Sequence, residues 1–149
     1  MNINKSSDWN RSEIHQFLLS SKIPIRIATV TTDFPTLCSV WYLFDPEREE
    51  LVCATHEKSQ LALELLANNK CAFEVSPNDP PYMGVRGKAE VTLSRENVHD
   101  TLTSLIERYL DNTESGLAKW LLGRADEEYI LRLKPARLTS WDYSKRMSK

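Results

Sequence analysis

Leu51-Val-Cys-Ala-Thr55-His-Glu-Lys58-Ser59-Gln60, then Leu61-Ala-Leu-Glu-Leu-Leu-Ala67-Asn-Asn-Lys70, then Cys71-Ala-Phe-Glu-Val75 read in succession as strand, polar turn, short helix and strand. Leu51–Ala54 is a compact apolar run, and Leu61, Leu65 and Leu66 recur at helical spacing. Cys71, Phe73 and Val75 alternate with Ala72 and Glu74, the pattern of a half-buried strand. Thr55–Ser59 places two hydroxyls and a lysine just before a helix start. Backbone N–H groups there lack intrahelical partners and carry the positive end of the helix dipole, a setting that suits an anion such as phosphate. On this stretch alone the plainer reading is preferred, with Ser59 a simple N-cap and Lys58 a solvated charge.

Working outward, 149 residues form one domain, 1–149, with enough chain to bury a core. Nineteen basic residues against 21 acidic ones leave a net charge of −2, which argues against a nucleic-acid or anionic-membrane partner. No apolar run reaches membrane-spanning length, and Met1–Asp8 is polar, without a signal-peptide core. A cytoplasmic location is the expectation. Cys38, Cys53 and Cys71 fall in strand-like runs without any Cys-x-x-Cys, so they read as reduced, buried small hydrophobes. His15, His56 and His99 have no metal-ligand spacing, and no metal is assigned.

Upstream, residues 1–21 are a helical lead-in. Ile14, Phe17 and Leu18 mark Arg11–Ser20 as a short amphipathic helix lying against one end of a sheet. From Ile23 the period becomes two: Ile23, Ile25, Ile27, Thr29 and Thr31 face one way, and Arg26, Ala28 and Val30 the other. Arg26 is a cation in an apolar strand, paired with a carboxylate at a sheet edge or reaching a bound anion. Thr36–Asp45 is a second strand carrying Trp41, Tyr42 and Phe44. Downstream, Gly84–Leu93 alternates cleanly, with two early glycines that suggest close approach of another backbone or a ligand. Residues 94–123 are a helical segment, with Ser94 as cap of its first helix and Gly123 at its end. Tyr129–Leu133 and Ala136–Tyr143 read as strands hinged at Pro135, followed by a basic tail to Lys149. At least six short, mostly antiparallel strands with flanking helices predict a mainly β fold, a barrel whose closure removes exposed edges.

The ordered set Arg26-Ile-Ala-Thr-Val30, Ser39-Val-Trp41, Cys53-Ala-Thr55, Lys58-Ser59, Pro80-Pro-Tyr82-Met-Gly-Val-Arg86-Gly87-Lys-Ala-Glu-Val91 and Pro135-Ala-Arg-Leu-Thr-Ser-Trp141-Asp resembles the pyridoxamine 5'-phosphate oxidase-like family of FMN-binding split barrels. The match runs from about Ser21 to Tyr143. It implies a six-stranded antiparallel Greek-key split barrel that acts as a homodimer, with cofactor sites across the interface. Arg26 matches the arginine that contacts the FMN phosphate, and Ile27, Ala28, Thr29 and Val30 the strand that runs along the flavin ring. Thr55 and Ser59 match phosphate-side donors, Tyr82 a contact from the partner chain, and Trp141 a tryptophan near the cofactor.

Two departures accompany the resemblance. Leu61 stands where family members often carry a lysine or arginine, leaving Lys58 as the nearby cation, and Leu61→Lys is expected to tighten FMN. The C-terminal tail lacks the histidine of the vitamin B6 oxidases proper, so pyridoxamine phosphate is not the expected substrate. The resemblance therefore implies an FMN-dependent oxidoreductase acting on an unidentified small molecule, with no catalytic side chain identified. A deazaflavin coenzyme in place of FMN, or a flavin- or haem-binding module without turnover, are the alternatives. Trp41, Tyr42, Phe44, Tyr82 and Trp141 are more large aromatics than one small barrel interior needs, which also points to a two-fold interface.

Overall fold

The computed structural model describes residues 1–148, and Lys149 at the end of the basic tail lies outside the described residues. In chain order the elements are α1 (Arg11–Ser20), β1 (Ile25–Thr29), β2 (Thr36–Val40), β3 (Tyr42–Asp45), β4 (Glu50–His56), α2 (Gln60–Ala67), β5 (Lys70–Val75), β6 (Met83–Ser94), α3 (Val98–Tyr109), α4 (Gly116–Gly123), β7 (Glu128–Asp142) and α5 (Ser144–Met147). The strand–turn–helix–strand reading of 51–75 is thus β4, α2 and β5.

Those strands make one seven-stranded sheet in the order β2-β1-β5-β6-β7-β4-β3, with every adjacent pair antiparallel. The terminal strands β2 and β3 are separated in the chain by Trp41 alone. They are two halves of one long strand kinked at that residue, pairing with β1 on one side and β4 on the other. The sheet therefore closes on itself as a split barrel. The count of seven replaces six only because the Thr36–Asp45 strand is broken at Trp41.

Alternation decides what fills the barrel. Ile25, Ile27, Leu51, Cys53, Phe73 and Val75 point inward and are buried, each large aliphatic side chain contributing about 1.5–3 kcal/mol by leaving water. Tyr42 and Phe44 are buried with them. This corrects the surplus-aromatics argument, because those two rings belong to the interior. Trp41 stacks on Tyr109 of α3, with centroids 5.2 Å apart. Burial raises the Cys53 thiol pKa and pushes that of Cys71 up to about 11, as inert core cysteines require.

Helices stopper the two ends. Asn10 caps α1 in a reciprocal capping box with Glu13. Trp9 N–H then donates to Ser140 Oγ at 2.9 Å, and the Tyr42 hydroxyl to the Leu18 carbonyl at 2.9 Å. Arg108 of α3 donates to the Leu18, Leu19 and Ser21 carbonyls at 2.6–3.1 Å, satisfying the helix end. At the other end Glu64 of α2 accepts from Thr29 and from Thr36, the latter at 2.8 Å, tying α2 to β1 and β2.

Two local expectations change, and a third, the close approach at the two glycines, is met by backbone. β7 runs unbroken through Pro135, which sits where the β6–β7 register slips between Lys88 and Ala89, so the missing N–H falls at a bulge. Ser94 ends β6 and does not cap α3, whose N-cap is Asn97 in the left-handed conformation. The close approaches at Gly84 and Gly87 come from within the chain. A Cβ at Gly84 would meet the Val75 carbonyl oxygen at 2.5 Å and the Trp141 ring at 2.9 Å. One at Gly87 would meet the Arg137 carbonyl oxygen at 2.5 Å and the Phe73 ring at 2.9 Å.

Candidate functional site

The outward sides of two ladder rungs build the larger concavity. One rung runs Ser39, Arg26, Glu74, Arg86, Thr139 across β2, β1, β5, β6 and β7, and the next runs Leu37, Ala28, Ala72, Lys88, Arg137. Residues opposite one another in neighbouring strands share a face. All of these except Ser39 line a cavity of about 620 Å³, within the roughly 300–1,000 Å³ of small-molecule and cofactor sites. Its floor is Ala28, Leu37 and Ala72. Its charged lining is Arg26, Arg86, Lys88 and Arg137 against Glu74 alone. Glu74 is 3.5 Å from Arg26 Nη1, leaving three cations without a carboxylate in the lining.

Arg26 is ordered without any ligand. Its Nη1 donates to the Ser76 carbonyl at 3.2 Å and to Ser76 Oγ at 3.0 Å, and its Nη2 to Asn78 Oδ1 at 2.6 Å. Of the residues after it, Ala28 lines the cavity. Ile27 and Thr29 face the core, 0% and 1% exposed, and offer no side-chain atom to a ring outside. Their backbone groups are no freer, because β1 is paired on both sides, Ile27 with Cys38 and with Phe73. Val30, past the strand end, is 59% exposed. Over β1, the outward side chains that line the cavity are therefore those of Arg26 and Ala28.

Thr55 and Ser59 line a different cavity, of about 410 Å³, with Ser39, Trp41, Glu128 and the apolar sides of α3 and α4. Their hydroxyl oxygens are 2.8 Å apart, and Ser59 Oγ accepts from Ala62 N–H at 3.0 Å as the cap of α2. Lys58 is exposed and lines neither cavity. Leu61 is a core residue, 2% exposed, and holds α2 on the barrel. Arg26 and the Thr55–Ser59 pair thus do not share one cavity in the chain, and Lys58 stands apart from both. Glu128 is 2% exposed, and burial, partly offset by Arg124, raises its carboxyl pKa above the ordinary range.

Tyr82 and Trp141 lie beyond the first cavity. Tyr82 is exposed, its carbonyl accepting from Tyr143 N–H at 3.0 Å. Trp141 is opposite Gly84 in the ladder, with the Arg86 guanidinium 5.0 Å above its ring. Arg86, Lys88, Arg137 and Glu74 were not singled out from sequence. The period-two alternation put Arg86 and Lys88 on one face of β6, but only the strand order places that face beside Arg26. Among the described residues no group of three or more metal-ligating side chains converges, and no helix is long and apolar enough to cross a membrane.

No family model matches the chain, and no curated protein matches it. Solved structures do. A conserved hypothetical protein from Mycobacterium tuberculosis superimposes with TM-score 0.79 at 23% identity, over 99% of this chain and 93% of that one. A candidate pyridoxamine 5'-phosphate oxidase from Listeria innocua gives 0.68 at 11% identity, over 87% and 96%. An F420 reductase gives 0.64 at 22% identity, over 83% and 94%. The chain is a split barrel of the pyridoxamine 5'-phosphate oxidase-like fold.

Proposed function

We propose that the protein is a flavin-dependent oxidoreductase that works as a homodimer and holds FMN on the outward face of β1, β5 and β6. The observation that carries this reading is the pairing of an apolar floor with a cationic rim in one cavity of cofactor size. Ala28, Leu37 and Ala72 suit a planar ring, and Arg26, with Arg86, Lys88 and Arg137, suits a phosphate. Charge decides between the two cavities. The second one pairs a buried carboxylate, Glu128, with a single arginine, so its charge favours an anion less than the four cations of the first.

Bound flavin would supply the redox chemistry. The chain's own part is to fix the phosphate through Arg26, already braced by Ser76 and Asn78, and to keep water from the ring. A second copy of the chain would complete that enclosure, since Leu37 of the floor is itself exposed, as are Val30 and Phe34 in the β1–β2 connection. The substrate would be a small organic molecule other than pyridoxamine phosphate.

A deazaflavin coenzyme is the second reading. It is favoured by the cations beyond Arg26, more than one phosphate needs, and by the fold shared with an F420 reductase. The experiment is an absorbance titration of the purified protein with FMN and, separately, with the deazaflavin coenzyme, followed by anaerobic addition of a nicotinamide donor. FMN bands that shift on binding and bleach with donor support the first reading, and selective deazaflavin binding the second. A protein that takes up neither overturns both.

A further inference from the structure

Charged side chains that face one another across the sheet mostly carry opposite signs. Arg26 is opposite Glu74, Glu74 opposite Arg86, Lys70 opposite Glu90 and Glu90 opposite Lys134. Opposite signs in direct register stabilise a sheet, and like signs destabilise it. Two ladder pairs join like charges. Asp45 faces Glu50, and Arg132 Nη1 lies 3.8 and 3.4 Å from their carboxylates, so that pair has its counter-ion. Lys88 faces Arg137, and neither has an ion-pair partner among the described residues. Both line the cavity of about 620 Å³. Its one carboxylate, Glu74, is on the neighbouring rung between Arg26 and Arg86, and lies 3.5 Å from Arg26 Nη1. The basic pair therefore lacks the counter-ion that the acidic pair has.

Register also separates this pair from Arg26. The strand of Lys88 is two pairings from β1 and that of Arg137 three, about 10 and 14 Å along the sheet at ~4.8 Å per pairing. Arg26 does not reach across, because Ser76 and Asn78 hold its guanidinium. A phosphate on Arg26 thus leaves Lys88 and Arg137 without an anion. Beside them Ala136 is the extra residue of the β6–β7 bulge, a device that re-aims neighbouring side chains. We infer that Lys88 and Arg137 form a separate anion subsite for the substrate, and that this substrate is a small organic acid. Its carboxylate sits between the two cations, and its apolar body lies along the flavin held over Ala28 and Ala72. The place of the body rests on the flavin reading above, whereas the anion subsite rests on the ladder alone. A neutral substrate would leave the like-charged pair uncompensated, since the nearby Asn4 and Thr139 carry no charge.

The probes are 2-naphthoate and its neutral counterpart 2-naphthamide, titrated calorimetrically into the FMN-loaded protein and into the full chain without flavin. The acid should bind at least about tenfold more tightly than the amide, a difference of roughly 1.4 kcal/mol, and should weaken as salt is raised. Lys88→Gln and Arg137→Gln should each weaken the acid about fivefold or more, with FMN affinity changed by less than about twofold. Arg137→Glu should abolish acid binding and raise the urea midpoint, because it restores opposite charges on that rung. Loss of packing alone would lower the midpoint. An amide bound as tightly as the acid, no heat from the acid at millimolar concentration, or a lowered midpoint for Arg137→Glu would each overturn the proposal. So would FMN losses as large as the acid's in the glutamine variants, which would assign the pair to the cofactor phosphate. Acid binding to the flavin-free chain without any FMN uptake would overturn the cofactor reading and support the subsite.

Discussion

Arg26 and Ser39 are direct cross-strand partners in the β1–β2 ladder, yet they line different cavities. Neighbouring strands are about 4.8 Å apart, so the two concavities abut across a single strand pairing. Their linings share no residue. Substitutions in one can therefore be read without dismantling the other.

Removing Arg26 or Arg86 as alanine variants should weaken FMN by on the order of 1.5–3 kcal/mol each, the worth of a hydrogen bond to a charged group. That is roughly 10- to 150-fold in Kd. Riboflavin, which lacks the phosphate, should lose little in the same variants. Lys58→Ala should leave both ligands unaffected, because Lys58 lines neither cavity. Titrations with the two ligands check this, and equal losses for FMN and riboflavin would assign Arg26 to fold support alone.

Leu61→Lys now carries the opposite expectation from the one the family pattern suggested. Leu61 is 2% exposed and packed in the core cluster. Replacing it loses apolar packing worth about 2–5 kcal/mol, as for other buried leucines, and forces an ammonium to reach out of the core. A lowered Tm with no gain in FMN affinity is the predicted result. Tighter FMN binding at unchanged Tm would contradict it.

Sedimentation equilibrium should give twice the chain mass of 17.2 kDa. Leu37 is 67% exposed at the floor of the cationic cavity, and Leu37→Asp should shift the equilibrium toward monomer while weakening flavin binding. A wild-type monomer at micromolar concentration would remove the composite site.

Gly84→Ala should destabilise the fold by about 1–3 kcal/mol or more, the usual cost of forcing atoms into a filled space. The new methyl would meet backbone, the Val75 carbonyl oxygen at 2.5 Å, which has little freedom to move. Denaturant titration measures it, and an unchanged midpoint would show that β5 and β6 can separate at that rung.

Acid sensitivity should centre on Glu49. Its carboxylate accepts from Arg11, from the Met1 ammonium at 2.7 Å and from His15 Nε2 at 3.0 Å. The Arg11 contact is foremost in holding its pKa down to about 2 from an ordinary 4.5. A lowered pKa stabilises the folded state fully above the ordinary value, and the gain is lost as pH falls through that value toward about 2. Because Arg11 is solvent-exposed, the effect at neutral pH is about 1–2 kcal/mol. Urea denaturation of wild type and Glu49→Gln should show that difference at neutral pH and its disappearance in strong acid. A difference independent of pH would mean that shape, not charge, matters at this turn.

Much of the fold was legible in the chain because burial repeats locally. The period-two runs at Ile25–Thr29 and Met83–Ser94, and the helical spacing of Ile14 and Leu18, are set by which side of each element meets the core. The cap at Ser59 and the buried role of Cys53 follow from the same local rules. What the chain alone could not decide is which outward faces become neighbours. Arg26, Arg86, Lys88 and Arg137 come from three strands far apart in sequence, and only the strand order brings them to one cavity. The same limit explains Lys58, whose nearness to Ser59 in sequence says nothing about the cavity its side chain faces. It also explains Tyr42 and Phe44, which one strand's pattern cannot assign to interior or interface. Local periodicity records whether a residue is covered, while strand order and closure decide what covers it and what it stands beside.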